Sequence, residues 1–254
     1  MELGIKKKIA LITGAGRGIG EAISYSLAKE NVTLIVVSKT KKDLIKLINK
    51  TKNPKSHYIF PADLSKQSDS KKLINFIKRK KIIPDIIVNN VGGTLNINNP
   101  LAGLSDWRKV LRINLEVSIE INNAFIPYMQ KKKWGRICHI SSIAGLENQG
   151  PPSYCASKAA LNAYVRSVGR YLSSQNIVMS SVLPGAILTK NGYWDTQVKM
   201  NPAKVKKYLQ ERMAIKRFGT VEEISEFVVF LCSKHSSFCS GSQFLLDGGQ
   251  GRLF

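Results

Sequence analysis

The chain is short of acid. Its 17 aspartates and glutamates face 39 lysines and arginines, for a formal charge of +22 over 254 residues. Long apolar runs are absent as well. None approaches the ~18 residues that a membrane-spanning helix requires, so no span is expected. Met1 to Lys8 leads directly into an apolar strand, without the length or cleavage pattern of a secretory signal, and a cytoplasmic location is expected. Cysteine is scarce and unpatterned. Cys138, Cys155, Cys232 and Cys239 show no CxxC spacing, which reads as reduced core thiols. His57, His139 and His235 have no partner at ligand spacing, so no metal site is expected. With 43% hydrophobic residues and no Pro/Ser- or Gly/Ser-rich stretch, residues 1–254 read as one globular domain.

Excess positive charge alone suggests nucleic acid, an anionic membrane surface or an acidic partner. The distribution argues otherwise. Lysines recur at 39–55, 71–81, 131–133 and 199–216, punctuating amphipathic helices and not interleaving with aromatics, so a solvated surface is the expected role. No specific nucleic acid and no membrane partner is expected.

Short β-branched runs alternate with helical spacing along the whole chain. Residues 9–12, 32–37, 57–60, 82–88, 136–140, 177–183 and 242–246 read as strands, most of them nearly continuous in apolar residues, as in strands covered on both faces. Between them, 18–29, 41–51, 67–80, 105–132, 153–174 and 221–233 have helical periodicity. This alternation predicts a single-domain, doubly wound (Rossmann-like) α/β fold, a seven-stranded parallel sheet with helices on both faces. In such a fold ligands sit beyond the carboxyl ends of the strands, so those positions carry the chemistry.

The first strand end reads Thr13-Gly-Ala-Gly-Arg-Gly-Ile-Gly20, a glycine loop that opens a helix. Gly14, Gly18 and Gly20 permit a sharp turn and close approach to a pyrophosphate, with Arg17 and Ile19 between them, and the helix start offers free N–H groups. The second strand ends in Ser38-Lys39-Thr40, without the carboxylate that would accept from an NAD ribose. Lys39, backed by Arg17, attracts a 2′-phosphate, so NADP(H) is favoured and NAD(H) is the alternative. Asp63 and Leu64 close the third strand, where the carboxylate either accepts from an adenine amino group or caps the next helix. Asn90 and Gly92 follow the fourth strand beside the cofactor ribose. Pro184, Gly185, Ile187 and Thr189 follow the sixth, with Thr189 in reach of a carboxamide or phosphate.

Ser142 stands at the end of the fifth strand, twelve residues before Tyr154. Tyr154 and Lys158 lie four apart, hence on one helix face. A phenol titrates near ~10, so an ammonium held close to it is expected to favour the phenolate and speed proton exchange. Asn114 is the remaining polar oddity, a mid-helix asparagine whose poor propensity calls for a reason, a helix–helix hydrogen bond being the bland one.

These motifs together, with Asn89-Asn-Val-Gly92, Pro184-Gly185 and Leu246-Asp-Gly-Gly249, resemble the short-chain dehydrogenase/reductase family, and within it the 3-oxoacyl-[acyl-carrier-protein] reductase-like branch. Val91 replaces the usual alanine, and the loop from Ser142 to Tyr154 is about one residue shorter than is common. The resemblance implies a ketone reductase in which Tyr154 donates a proton, Lys158 lowers the Tyr154 pKa and holds the nicotinamide ribose, Ser142 polarises the carbonyl, and Asn114 anchors a proton-relaying water. It implies a homo-oligomer, tetramer or dimer, with the last helix and residues 241–254 at an interface.

The substrate is expected to be a small-molecule or carrier-protein-bound carbonyl, first a 3-oxoacyl thioester. A keto-sugar or other small ketone of surface-glycan synthesis is the alternative, and a non-catalytic NADP(H)-binding sensor the third. Residues 186–213, with Tyr193 and Trp194, are expected to form a lid. Since acyl-carrier proteins are acidic, Lys131 to Lys133 and Arg136 offer a docking face by electrostatic steering.

Overall fold

The computed structural model describes residues 1–252, so the last two positions of the expected interface tail lie outside the described residues. Seven strands form one parallel sheet: β1 (Ile9–Thr13), β2 (Thr33–Ser38), β3 (Tyr58–Pro61), β4 (Ile86–Asn89), β5 (Gly135–Ile140), β6 (Ile177–Pro184) and β7 (Gln243–Leu246). Their spatial order is β3-β2-β1-β4-β5-β6-β7, so the winding reverses between β1 and β4. Each crossover is helical: α1 (Gly18–Lys29), α2 (Lys41–Asn49), α3 (Gln67–Lys80), α4 (Leu104–Leu111) with α5 (Val117–Lys132), α6 (Pro152–Leu172), and α7 (Tyr193–Met200), α8 (Pro202–Arg212) and α9 (Val221–Leu231).

Side-chain alternation along the strands splits the core into two layers. On one face Ile12, Val36, Val88 and Cys138 meet Ile23 and Leu27 of α1 and Ile224 and Val228 of α9. On the other, Leu11, Ile35, Ile87 and Ile137 meet Leu73 and Ile77 of α3, Phe125 of α5 and Val165 of α6. Burying each such side chain stabilises by about 1.5–3 kcal/mol, and both faces of the sheet draw on it. The near-continuous apolar strands of the sequence have this cause.

Two expected elements differ. The strand expected at 82–88 begins only at Ile86, because Pro84 lacks a ladder donor. The helix expected unbroken over 105–132 is interrupted by a π turn at Arg112–Glu116. Asn114 sits within it, its amide donating to Val110 O at 2.9 Å and to Gly93 O at 2.8 Å. A side chain competing for a helical carbonyl loosens the i→i−4 ladder.

The amino ends of the strands correct another expectation. Arg136 is buried, donating to the carbonyls of Ser233, Gly135 and Asn176 at 2.9–3.1 Å, with its guanidinium 4.8 Å from the Trp134 ring centroid. It ties chain segments together and offers nothing to a docking partner. Lys131 to Lys133 end α5 ahead of β5, at the opposite end of the strands from the cleft described below. Lys7, Lys81 and Lys133 at this end adopt left-handed backbone, with φ of 66°, 56° and 50°. Glycine or asparagine would take those positions at lower cost, on the order of 1 kcal/mol each.

Beneath the sheet's second face lies a buried polar network. Asn122 of α5 accepts from Asn89 Nδ2 at 3.0 Å, and its own amide donates to Tyr164 Oη at 3.1 Å and to His139 Nε2 at 3.2 Å. The His139 proton is thereby assigned to Nδ1, which has no partner among the described residues. Burial, and secondly the nearby Lys158 charge, holds the His139 pKa down at about 3, against 6.5 in the unfolded chain. The folded state then binds fewer protons, so stability present at neutral pH is lost as pH falls below 6.5, until the folded pKa is passed. Between pH 7 and 5 this amounts to about 2 kcal/mol. Urea unfolding at the two pH values should show that loss in the native chain, and His139→Asn should reduce the pH dependence by that amount.

Candidate active site

All the carboxyl strand ends around the β1/β4 reversal open into one cleft of about 800 Å³. Its floor is the glycine loop. Gly14 and Gly18 have φ of +65° and +59°, which side-chain-bearing residues rarely adopt, and a Cβ on Gly20 would stand 2.3 Å from Gly14 O. Thr13 and Asn90 lock the loop to β4. The Thr13 hydroxyl accepts from Asn90 N and Val91 N at 3.0 and 3.1 Å, while Asn90 Nδ2 donates to Thr13 O and Gly14 O at 3.0 and 3.1 Å. Arg17, at the N-cap of α1, gives its helix no side-chain cap. The first N–H groups of α1 thus point into the cleft at the positive end of the helix, as an anion requires.

The expected residues Gly14, Arg17, Gly18, Ile19, Gly20, Lys39, Leu64, Asn90, Gly92, Pro184, Gly185, Ile187 and Thr189 all line this cleft, with Ser142, Tyr154 and Lys158. Two expected residues do not line it. Asp63 is turned aside: it pairs with Lys39 at 3.1 Å and accepts from Ser65 Oγ at 2.6 Å and Ser65 N at 3.1 Å, so it orders the turn into α3. Asn114 stands behind the wall, accepting from Gly93 N at 3.0 Å. A Cβ on Gly92 would come within 2.6 Å of Asn114 Oδ1 and 3.3 Å of Lys158 Nζ, which shows how tightly the three are gathered. Sequence reasoning missed Ser38, Thr40, Ser65 and Lys190, which also line the cleft; each lies within two residues of a residue that was expected.

The reacting groups cluster where β5 ends. Ser142 caps a 3₁₀ turn by accepting from Ala144 N at 3.1 Å, and its hydroxyl lies near enough to the Tyr154 phenol to favour the ionised form of that group. Ser141 is buried, with its hydroxyl unpartnered among the described residues, so Ser142 is the serine that acts on the tyrosine. Lys158 is buried and donates to Ile140 O at 2.8 Å, its Nζ 5.7 Å from the Tyr154 ring centroid.

The electrostatics correct the expected order. Burial raises the Tyr154 pKa, and what opposes it is the neighbouring Ser142 hydroxyl, not the lysine. Burial lowers Lys158 to about 8, which leaves it able to gain or lose a proton near neutrality. The lysine is the group brought into the working pH range.

The donor set fits a dinucleotide. Glycines leave room for a pyrophosphate against α1, and Lys39, about two-thirds exposed, and Arg17 flank the end of β2 where a ribose phosphate would lie. A hydroxyl, a phenol and a buried ammonium sit together further along. Fold and site define a dinucleotide-dependent oxidoreductase of the doubly wound α/β class.

Comparison with known proteins makes the assignment specific. Residues 8–197 match the short chain dehydrogenase family model. The chain is 31% identical over 253 residues to the 3-oxoacyl-[acyl-carrier-protein] reductase of Aquifex aeolicus, covering 98% of this chain and 99% of that one. It is 35% identical over 251 residues to the enzyme of the same name from Buchnera aphidicola subsp. Schizaphis graminum, covering 96% and 98%. The L-sorbose reductase of Gluconobacter frateurii, solved with NADPH and L-sorbose, superposes with a TM-score of 0.92 at 26% identity, each chain covered completely. A 3-oxoacyl (acyl-carrier-protein) reductase from Agrobacterium tumefaciens, with NADP bound, gives 0.89 at 26% identity, covering 97% and 95%. The chain belongs to the short-chain dehydrogenase/reductase family and is an NAD(P)-dependent oxidoreductase.

Proposed function

We propose that this enzyme reduces the ketone of a 3-oxoacyl thioester with NADP(H). What carries the reading is full-length similarity, at 31% and 35% identity, to two 3-oxoacyl-[acyl-carrier-protein] reductases, joined to a cleft that brings Ser142, Tyr154 and Lys158 together. The bound nicotinamide would supply hydride. The residues do the rest: Ser142 donates to the carbonyl oxygen, Tyr154 delivers the proton as the alkoxide forms, and Lys158 holds the ribose and replenishes that proton. Asn114 acts through Gly93, fixing the loop that packs against Lys158.

NADP(H) is favoured by Lys39 and Arg17. Among the described residues only Asp63 pairs with Lys39, in an exposed pair worth little. Replacing both cations, as Arg17→Ala with Lys39→Ala, should weaken NADPH about 10²-fold with little effect on NADH, measured by fluorescence titration.

A keto-sugar is the second reading, favoured by the L-sorbose reductase likeness and by aromatics at the cleft mouth. Tyr193 and Trp194 line the cleft, and Trp194 is stacked against Tyr208 and Phe218 with centroids 4.3 and 5.0 Å away. Residues 186–213 carry them and form the lid. NADPH oxidation with an acetoacetyl thioester and with ketohexoses separates the readings. Turnover confined to the sugars would overturn the thioester assignment.

The family resemblance and half-exposed Leu245 on the edge strand β7 support a homo-oligomer, tetramer or dimer, which light scattering would size.

A further inference from the structure

Two walls of the cleft are joined through one buried amide. The last sheet bond beside the cofactor loop runs from Gly185 N to Leu246 O at 3.1 Å, and the next donor along the chain, Ala186 N, is buried past the end of the ladder. Gln250 meets it. Its Oε1 accepts from Ala186 N at 2.8 Å, while its Nε2 donates to Tyr208 Oη of α8 at 2.8 Å and stands 3.5 Å from Gln149 Oε1, in the loop between Ser142 and Tyr154. A backbone N–H can only donate, so the amide must present its oxygen there and its nitrogen to the phenol. Gln250 is itself 6% exposed, and a Cβ on Gly185 would come within 2.7 Å of its Oε1.

The turn before Gln250 delivers its side chain inward. Gly248 and Gly249 take φ of +62° and +74°, and the Asp247 carboxylate accepts from Gly249 N at 3.0 Å and from Gly251 N at 2.6 Å. The same turn seats on the chain just past the lid. A Cβ on Gly248 would stand 2.7 Å from Ile215 Cγ2, and Ile215 N donates to Gly248 O at 3.1 Å. The lid is otherwise lightly held. Among the described residues α7 buries no side chain and α8 only Val205, and segments with so little buried apolar surface open at low cost. Tyr208 carries the hold to the cleft, since its ring centroid lies 4.3 Å from that of Trp194, which lines the mouth. One continuous path then runs from Ala186 through the Gln250 amide and the Tyr208 ring to Trp194.

We propose that Gln250 is a positioning residue that latches the lid over the cleft, so that it sets affinity for the carbonyl substrate and not the rate of the chemical step. The effect on substrate rests on the reading of this enzyme as a ketone reductase. A latched lid presents Tyr193 and Trp194 already placed, whereas a lid that is mostly open weakens apparent substrate affinity in proportion to the fraction that remains closed. Saturating substrate draws the lid shut again, so turnover at saturation is preserved. The cations and glycine loop that would hold the cofactor phosphates stand at the ends of β1 and β2, with β4 and β5 between them and β6. The latch should therefore leave NADPH affinity alone.

Tyr208→Phe removes one oxygen from the latch and keeps the ring on Trp194. It should raise the KM of the carbonyl substrate about 10-fold, with kcat and NADPH affinity each within about threefold of native. Gln250→Met, of similar volume, should raise KM at least ~10-fold, and the double variant should match Gln250→Met alone to within about threefold, because two residues in one link do not add. Hydrogen exchange followed by mass spectrometry, on the same proteins without substrate, should be about 10-fold faster over 202–212 in both single variants and unchanged over β6. An unchanged KM in Tyr208→Phe, KM effects that multiply in the double variant, or exchange over 202–212 as slow as in the native chain would overturn the latch. A fall in kcat or in NADPH affinity equal to the rise in KM would overturn it as well, since that is the signature of a structural strut. Should the native enzyme reduce no carbonyl, the substrate reading falls alone, and exchange over 202–212 still decides the latch.

Discussion

Tyr154→Phe removes one oxygen and should reduce turnover by about 10³-fold while NADPH affinity stays within about threefold. The phenol is the hydroxyl of the cleft wall that faces Ser142, whereas the ring itself packs beside Gly150 and keeps its place in the variant. Binding and chemistry therefore separate cleanly at this residue. Single-turnover reduction and a fluorescence titration of NADPH check the two halves. Loss of cofactor affinity equal to the loss of turnover would make Tyr154 a binding residue. Turnover near the native rate would move the proton donor elsewhere, with Lys158, whose pKa lies at about 8, as the candidate.

Gly20→Ala should be the more destructive change for its size. The added methyl meets Gly14 O at 2.3 Å and Asn90 Nδ2 at 2.5 Å, and the first of these is backbone. Gly14 cannot retreat easily, since its own space is bounded by Asn90 and Val91. The loop must open, which pulls the α1 N–H groups from their position and breaks the Asn90 clamp. Affinity for NADPH should fall at least ~10²-fold, and the melting temperature should fall by several degrees, as expected for about 1–3 kcal/mol of overpacking. Calorimetry and titration on one preparation check both. An unchanged Kd would mean that the pyrophosphate does not use this loop.

The sequence was most legible where geometry leaves few choices. Parallel strands buried on both faces are mostly apolar, so Val32 to Val37, with only Thr33 polar, and Ile177 to Leu183, with small Ser180 and Ser181 at its centre, declare themselves without any regular alternation. Thirteen of the expected cofactor residues line the cleft because strand ends in this fold have only one place to point. What could not be read was side-chain company. Nothing in the spacing says that Lys39 reaches Asp63, that Arg136 turns inward to three carbonyls, or that Asn122, His139 and Tyr164 meet, since those partners come from separate elements. The tyrosine–lysine pair shows the same limit. Helical spacing placed both on one face, yet Lys158 bonds to Ile140 O, and only the fold brings that carbonyl to it.

The π turn at Arg112–Glu116 has an effect on everything beyond it. Side chains four apart on an α-helix precess by about 40° per step, because four residues exceed one turn of 3.6. Asn114, Ser118 and Asn122 follow that four-residue step, as do Ile113, Val117, Ile121, Phe125 and Met129, and all are buried. A wider turn at the start slows the precession, in the manner of a stutter in a coiled coil. Two columns, an apolar one over about four turns and a polar one over about two, thereby stay buried, and the polar one runs from the loop beside Lys158 down to His139. The irregularity that holds Asn114 is thus also a phase correction for the rest of the helix.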